Sequence, residues 1–435
     1  MLKKIIEKKL KYLSKKILKK YQPEVIGITG SVGKTSTKEV VFLVLKKKFR
    51  VRKNIKNYNN EIGVPLTIIG SESGNKNIFS WMVIFLKAYW LILFKNKNYP
   101  EKLVLEMGAD HPGDIQYLVE LAPCKVGIIT AIGSLGPVHL EFFKSVEQLI
   151  DEKSNIIKHL SREGIAVLNR DDAHVYPLKR KTNAKIVSFG FVEQADVRAS
   201  DVTIADHIEM KENEPVSGVN FKLHHKGNVV PIFLPQVLGR HQIYSALCAA
   251  AVGTIYDINL SDIAKALREY TPPPGRMRLI SGIKRTMIID DSYNSSPVAT
   301  IAALKTLETL HVEEGKRKYA VLGDMTELGT YTEEGHEKVG QYVARVADIL
   351  VTIGEKGKII AETAKKNNMP EDRVFEFADS GRAGRFLQER IKEGDLILVK
   401  GSQATRSEKV VKELMAEPMK AKKLLVRQGK TWQDK

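Results

Sequence analysis

The chain has 435 residues, room for two or three domains, and is 43% hydrophobic, enough to bury substantial cores. Its two cysteines, Cys124 and Cys248, exclude a disulfide framework and suit a reducing compartment. Of the net charge of +18, residues 1–20 supply +8 and residues 417–435 supply +4, so the other 396 residues carry only +6, which argues against a nucleic-acid-binding body.

In chain order, residues 1–22 read as a basic amphipathic helix. Leu2, Ile6, Leu10, Leu13 and Ile17 recur at spacings of three and four, and nine lysines fill the other face. That pattern fits either a membrane surface or a helix packed on the body of the protein. No secretory signal pattern stands at the front, and a cytoplasmic location is expected. Residues 25–28 (VIGI) form a short buried strand. It runs into Gly30-Ser31-Val32-Gly33, and Lys34-Thr35-Ser36-Thr37 opens a helix. Such a turn lets backbone N–H groups close on phosphate oxygens, with the helix dipole behind them. Lys34 is placed to reach terminal phosphates, and Thr35 to hold Mg²⁺. Ile28 stands where the full GxxxxGK[ST] pattern has its first glycine.

Residues 78–94 hold only Ser80 and Lys87 as non-apolar residues. Seventeen helical residues reach about 26 Å, short of a ~30 Å hydrocarbon core. This apolar insertion, about 76–98, suggests a monotopic contact at the inner membrane face or a cover for the first helix, with an ordinary buried helix as the alternative. Strands are expected at 102–106, 125–130 and 165–168, and antiparallel alternation at 185–235. An alanine-rich helix follows at 239–253, and the linker is 271–275. A second, Rossmann-like α/β pattern then has strands at 287–289, 319–322, 349–353 and 396–399. The predicted class is therefore α/β. A phosphate-loop ATP-binding domain with a mostly parallel sheet spans 23–270. A C-terminal α/β domain spans 276–416, and a basic tail spans 417–435. In open parallel sheets ligands bind beyond the carboxyl ends of strands, so Glu106 is placed to hold Mg²⁺ beside the phosphate loop.

The order of motifs carries more than any one of them. GSVGKTST is followed by NNEIGVP (59–65), EMG (106–108), PGDI (112–115), HLE (139–141), EKS (152–154) and LNRDD (168–172). LGRH (238–241), GRM (275–277), DDSYN (290–294), LGDM (322–325) with ELG (327–329), and KGS (400–402) complete the series. Across about residues 23–412 the chain resembles the Mur ligases of peptidoglycan synthesis. NNEIGVP, DDSYN and LGDM…ELG favour the branch that adds D-alanyl-D-alanine to a muramoyl-tripeptide.

The resemblance implies ATP-dependent amide ligation through an acyl phosphate. By the family pattern, Gly30 to Ser36 cradle the phosphates. Thr35 and Glu106 hold one Mg²⁺, and His139 with a carbamoylated Lys153 serves a second. His241, Arg276 and Asp291 contact ATP. Asn59, Asn60, Asn294 and Asp324 face the substrates. Segment 271–275 is the hinge on which the C-terminal domain closes. The expected partners are a muramoyl-peptide, small or lipid-linked, and D-alanyl-D-alanine, acting on a monomer. The family's G-x-H-N-x-x-N helix motif is spelled Gly239-Arg240-His241-Gln242-Ile243-Tyr244-Ser245 here. Only about 22 residues stand ahead of the phosphate-loop strand, where the family carries a domain that grips the UDP-sugar. The readings that compete are a related amide ligase, of the folate–glutamate kind or acting on a lipid-linked wall precursor, and a non-catalytic ATP-binding tether.

Overall fold

The computed structural model describes residues 2–55, 58–75, 77–132, 142–204, 209–211, 214–429 and 432. The N-terminal part runs α1 (Leu2–Tyr21), β1 (Glu24–Thr29), α2 (Lys34–Leu45), β2 (Val51–Lys53), α3 (Gly63–Ile69), α4 (Ile78–Leu93) and β3 (Lys102–Glu106). It continues through α5 (Asp114–Leu121), β4 (Val126–Ile129), α6 (Val146–Lys158), β5 (Ile165–Asn169), β6 (Lys185–Gly190) and β7 (Val197–Ile204). A small hairpin, β8 (Glu209–Lys211) and β9 (Glu214–Val216), precedes β10 (Gly218–His225), β11 (Asn228–Pro235), α7 (Ile243–Ile255) and α8 (Leu260–Arg268).

These strands form a nine-stranded sheet in the order β11-β10-β7-β6-β5-β4-β1-β3-β2. From β2 to β7 all neighbours are parallel, while β7, β10 and β11 pair antiparallel. The alternation expected over 185–235 therefore holds for β7, β10 and β11, whereas β6 belongs to the parallel part. Apolar cores lie on both faces. One joins α1, α5 and α6 to the sheet through Leu10, Leu13, Ile17, Leu103 and Ile156, and the other joins α2, α7 and α8 through Val41, Leu247 and Ile263. Burial on both faces is why the parallel strands read as continuous apolar runs.

The C-terminal part holds β12 (Arg278–Ser281), β13 (Met287–Asp291), α9 (Pro297–Thr309), β14 (Lys318–Gly323), α10 (Thr332–Val343) and β15 (Ile349–Ile353). Then come α11 (Gly357–Lys366), β16 (Val374–Phe377), α12 (Ser380–Arg390), β17 (Leu396–Lys400), α13 (Glu408–Leu414) and α14 (Ala421–Leu424). Its six-stranded sheet has the order β12-β13-β17-β14-β15-β16, parallel except for β12. The two edge strands, β12 and β16, are the ones that sequence reading missed; each has only four residues.

The two sheets are joined at 271–275. Gly275 has φ +68°, its N–H donates to Asp290 Oδ2 at 3.0 Å, and its carbonyl accepts the Tyr293 N–H at 3.1 Å. Leu238, from the first part, is buried in the core of the second beside Met277 and Leu279. The carboxyl ends of both parallel sheets thus face one shared cleft.

At the front, α1 buries Leu10, Leu13 and Ile17 against the body and packs on α3 and α4. Lys20 and Tyr21 donate to the carbonyls of Leu91, Ile92 and Phe94, which close the end of α4. The expectation that the two helices cover each other therefore holds for α1. Among the described residues no helix is long and apolar enough to cross a membrane.

Candidate active site

β1 ends at Thr29, and the chain turns through Gly30 (φ +145°) and Gly33 (φ +86°) before α2 begins at Lys34. At Gly30 a Cβ would lie 2.1 Å from Thr130 Oγ1, so only glycine lets the loop approach β4 this closely. The loop is pinned from that strand: Ser31 N–H donates to Ala131 O at 2.7 Å, and Thr130 Oγ1 to Val32 O at 2.6 Å.

Lys34 Nζ curls back onto the carbonyl of Gly30 at 2.7 Å, and Lys153 Nζ, from α6, reaches the same oxygen at 3.3 Å. Burial pushes the Lys34 ammonium below the ordinary 10.5, against the pull of Glu106. Lys153 is fully buried; desolvation first, then the charge of Lys34, bring it down to about 7. Two amines thus crowd one carbonyl oxygen, and the carboxylates of Glu106 and Asp110, with Glu152 for Lys153, act on them from a longer distance. The Ser31 hydroxyl also lacks a hydrogen-bond partner among the described residues. An anion with several acceptor oxygens suits both features.

Glu106, at the end of β3, is buried beside the loop. Thr35 Oγ1 donates to its Oε1 at 3.4 Å, Asn59 Nδ2 to the same oxygen at 3.3 Å, and Lys38 Nζ lies 3.7 Å from Oε2. The Asn54 side chain fixes the strand end: its Nδ2 donates to the Glu106 carbonyl and its Oδ1 accepts the Glu106 N–H, each at 2.9 Å. The Thr35 hydroxyl and the Glu106 carboxylate are hard oxygen donors converging on one point, which fits Mg²⁺. Sequence reading missed Lys38 and Asn54. Lys38 sits one helical turn beyond Lys34, and that spacing could have placed it on the same face.

Other expected residues are distributed more widely. Asn60 Oδ1 accepts from Gly63 N–H at 3.0 Å at the start of α3. Glu152 of EKS receives the N–H groups of Gly113 and Ile115 at 2.9 and 2.7 Å, which explains why PGDI and EKS occur together. His139 lies outside the described residues. Among the described residues no cluster of three or more His, Cys, Asp or Glu could hold a metal ion.

Across the cleft, a cavity of about 280 Å³ is lined from the first part by Val32, Gly33, Thr35 to Thr37, Asp171, His241 and Gln242, and from the second by Arg276, Asp291 and Lys400. Burial lowers the His241 imidazole. Arg276 lies 3.8 Å over the ring of Tyr293, and its Nε has no partner among the described residues. Lys400 Nζ pairs with Asp291 Oδ2 at 2.6 Å and donates to Asn294 O at 2.9 Å. Asp291 Oδ1 accepts the Met277 N–H at 3.1 Å. Asp324 follows β14 at the same sheet edge, where its Oδ1 accepts the Gly357 N–H at 2.8 Å. In the altered helix motif, Ser245 Oγ meets Thr37 Oγ1 at 3.2 Å, Gln242 donates to Arg276 O at 3.4 Å, and Tyr244 donates to Asp171 at 2.9 Å. These contacts hold the helix to both halves of the cleft.

The Mur ligase middle domain matches residues 28–79 and 89–253, and the Mur ligase glutamate ligase domain matches residues 275–403. UDP-N-acetylmuramoyl-tripeptide--D-alanyl-D-alanine ligase of Bacillus subtilis (strain 168) is 31% identical over 414 residues, covering 94% of this chain and 80% of that protein. Among solved structures, MurF from Acinetobacter baumannii superposes with a TM-score of 0.75 at 25% identity, covering 94% of this chain and 80% of the other. MurF ligase from Thermotoga maritima, in complex with ADP, gives 0.72 at 27% identity over 94% and 83%. One expectation is corrected by this likeness. A carbamoylated lysine applies to MurD and MurE rather than MurF. In this fold the Lys153 amine is instead a hydrogen-bond donor to Gly30. With both domain families matched in order and the phosphate loop intact, this chain belongs to the Mur ligase family.

Proposed function

We propose that this protein joins D-alanyl-D-alanine to the carboxylate of a muramoyl-tripeptide at the expense of ATP. The observation that carries the reading is the pair of buried lysine amines turned onto the Gly30 carbonyl, set beside the Thr35–Glu106 pair and facing Arg276 across the cleft. The Bacillus subtilis relative named above is a UDP-N-acetylmuramoyl-tripeptide--D-alanyl-D-alanine ligase.

The phosphates of ATP would lie in the turn, with Lys34 released from the Gly30 carbonyl to meet them. Mg²⁺, held by Thr35 Oγ1 and Glu106, would neutralise phosphate charge when bound. Arg276 approaches from the C-terminal domain, and Asp291 with His241 lines the nucleoside side. The acceptor carboxylate oxygen attacks the γ-phosphorus, the bond to ADP breaks, and an acyl phosphate forms. The amine of D-alanyl-D-alanine then attacks the acyl carbon; phosphate departs with its electron pair, and the amine loses a proton. Such chemistry needs positioning and charge neutralisation more than covalent help from the protein. Asn59 on one side, and Asn294 with Asp324 on the other, border the acceptor and amine positions. Segment 271–275 is the hinge, and the working location is the cytoplasm.

The test is phosphate release from ATP with UDP-muramoyl-tripeptide and a panel of amines. D-alanyl-D-alanine should support the fastest release. Faster release with glutamate, L-lysine or meso-diaminopimelate would replace this reading with that of a single-amino-acid ligase. No amine-dependent release with any of them would leave only nucleotide binding.

A further inference from the structure

The outward half of α4 is apolar without interruption. Ile78, Phe79, Met82, Val83, Leu86, Tyr89, Trp90 and Leu93 all lie on it, and Ile78, Phe79 and Leu93 are 77%, 75% and 72% exposed. The helix buries only Ile84, Ala88 and Leu91 against the body. The Mur ligase domain match leaves out residues 80–88, which hold Met82, Val83 and Leu86 of this face. Soluble surfaces rarely carry an apolar stripe of this length without a partner.

The surroundings of the stripe say which partner. Lys9 of α1 sits over the Phe85 ring at 4.3 Å and near Tyr89 at 5.8 Å, so its ammonium borders the stripe directly. Lys16 lies over the exposed ring of Tyr12, and Ile5 is exposed on the same helix. Lys95 and Lys97 are exposed just beyond the other end. We propose that α4 lies flat in the surface of a bilayer bearing anionic headgroups, with the lysines of α1 and of the α4 C-terminal turn at headgroup level. Aromatic rings at the margin of an apolar face and cations beside them are the arrangement such surfaces bind. A helix of 16 residues, about 24 Å long, is too short to span but suits an in-plane position. A second copy is the less suitable occupant, because a symmetric pairing of the stripes would bring two lysine borders together. The inference stands apart from the ligase reading, since neither depends on the other.

Sedimentation of the full chain with extruded vesicles tests it. With phosphatidylglycerol-containing vesicles at low salt the protein should pellet. Partitioning should fall by about tenfold or more with pure phosphatidylcholine or at high salt. Leu86→Glu with Leu93→Glu should abolish pelleting, and Lys9→Gln with Lys16→Gln and Lys95→Gln should weaken it. All five side chains are at the surface, and an unchanged melting temperature checks that the fold survives. Phosphate release with soluble substrates is read separately, so loss of one property leaves the other measurable. A wild-type protein that stays in the supernatant at low salt overturns the proposal. So does a double glutamate variant that pellets like wild type. A wild-type dimer that the glutamates convert to monomer, without vesicle binding, reassigns the stripe to a second copy.

Discussion

The carboxyl edges of the two sheets use similar residues in opposite ways. On the first, Lys34 and Lys153 both turn to the carbonyl of Gly30, and burial depresses both amines. The nearby carboxylate, Glu106, is already shared by Thr35, Asn59 and Lys38. On the second, the charges close on themselves. Lys400 pairs with Asp291, and Glu408 receives Arg406 at 2.6 Å and Arg427 at 2.8 Å. Arg427 also donates to Tyr293 O at 3.0 Å, which ties the C-terminal tail to the loop bordering Arg276. An edge whose amines rest on a carbonyl can exchange that contact for an anion, whereas an edge whose cations rest on carboxylates is a rigid platform that presents Arg276 and Asp291. The difference teaches that a site for a polyphosphate is visible as amines resting on a carbonyl before any ligand is present.

Breaking the second edge should cost stability first. Lys400→Met strands the Asp291 carboxylate in a buried position and should lower unfolding free energy by about 3–5 kcal/mol in urea titrations. Breaking the first edge should cost turnover instead. Lys34→Ala and Glu106→Ala should each lower kcat by ~10²–10³, Lys34→Ala with little loss of melting temperature. If Lys34→Ala destabilised as much as Lys400→Met, the contrast between the edges would be wrong.

A smaller effect sharpens the comparison by its sign. Lys153 has an amine near 7 in the fold, against 10.5 for an ordinary lysine. Between those values the unfolded chain holds a proton that the folded chain has shed, so folding gains as pH rises through this window. Below about pH 7 the folded protein bears the full penalty of a buried charge. Lys153→Met should therefore raise stability by roughly 1–3 kcal/mol at pH 6, and the gain should shrink toward pH 10. Melting curves at the two pH values check this. The smallest expected effect is at the altered helix motif. Ser245→Asn should change the KM for ATP by up to about fivefold, the scale of a single hydrogen bond near 1 kcal/mol.

Much of the first edge was legible because its parts are local. A strand, two glycines, a lysine and a threonine are consecutive, and Glu106 ends an apolar run. The strands of both parallel sheets were legible for the same reason, since burial on both faces writes them as unbroken apolar segments. What was not legible depends on distance in sequence. Lys38 looks like an ordinary helix residue until β3 brings Glu106 beside it. Lys400 stood in the KGS motif, but its pairing with Asp291 needed β17 to be placed next to β13. Glu152 and PGDI were recognised as motifs, but that one caps the other required α5 and α6 to be packed together. The periodicity of residues 1–20 left two accounts open. The fold assigns the Leu10–Leu13–Ile17 stripe to the protein body and leaves the exposed stripe on α4 instead.

The central claim is that the cationic edge activates a carboxylate by moving phosphate onto it. Muramoyl-tripeptide labelled with ¹⁸O in its terminal carboxylate tests this directly, because attack on the γ-phosphorus puts a carboxylate oxygen into the leaving phosphate. With ATP and D-alanyl-D-alanine present, the account predicts ¹⁸O in the released phosphate alongside new amide bonds, both lost together in Lys34→Ala. Released phosphate carrying no label would mean that water, not the carboxylate, attacks ATP, and would contradict the account.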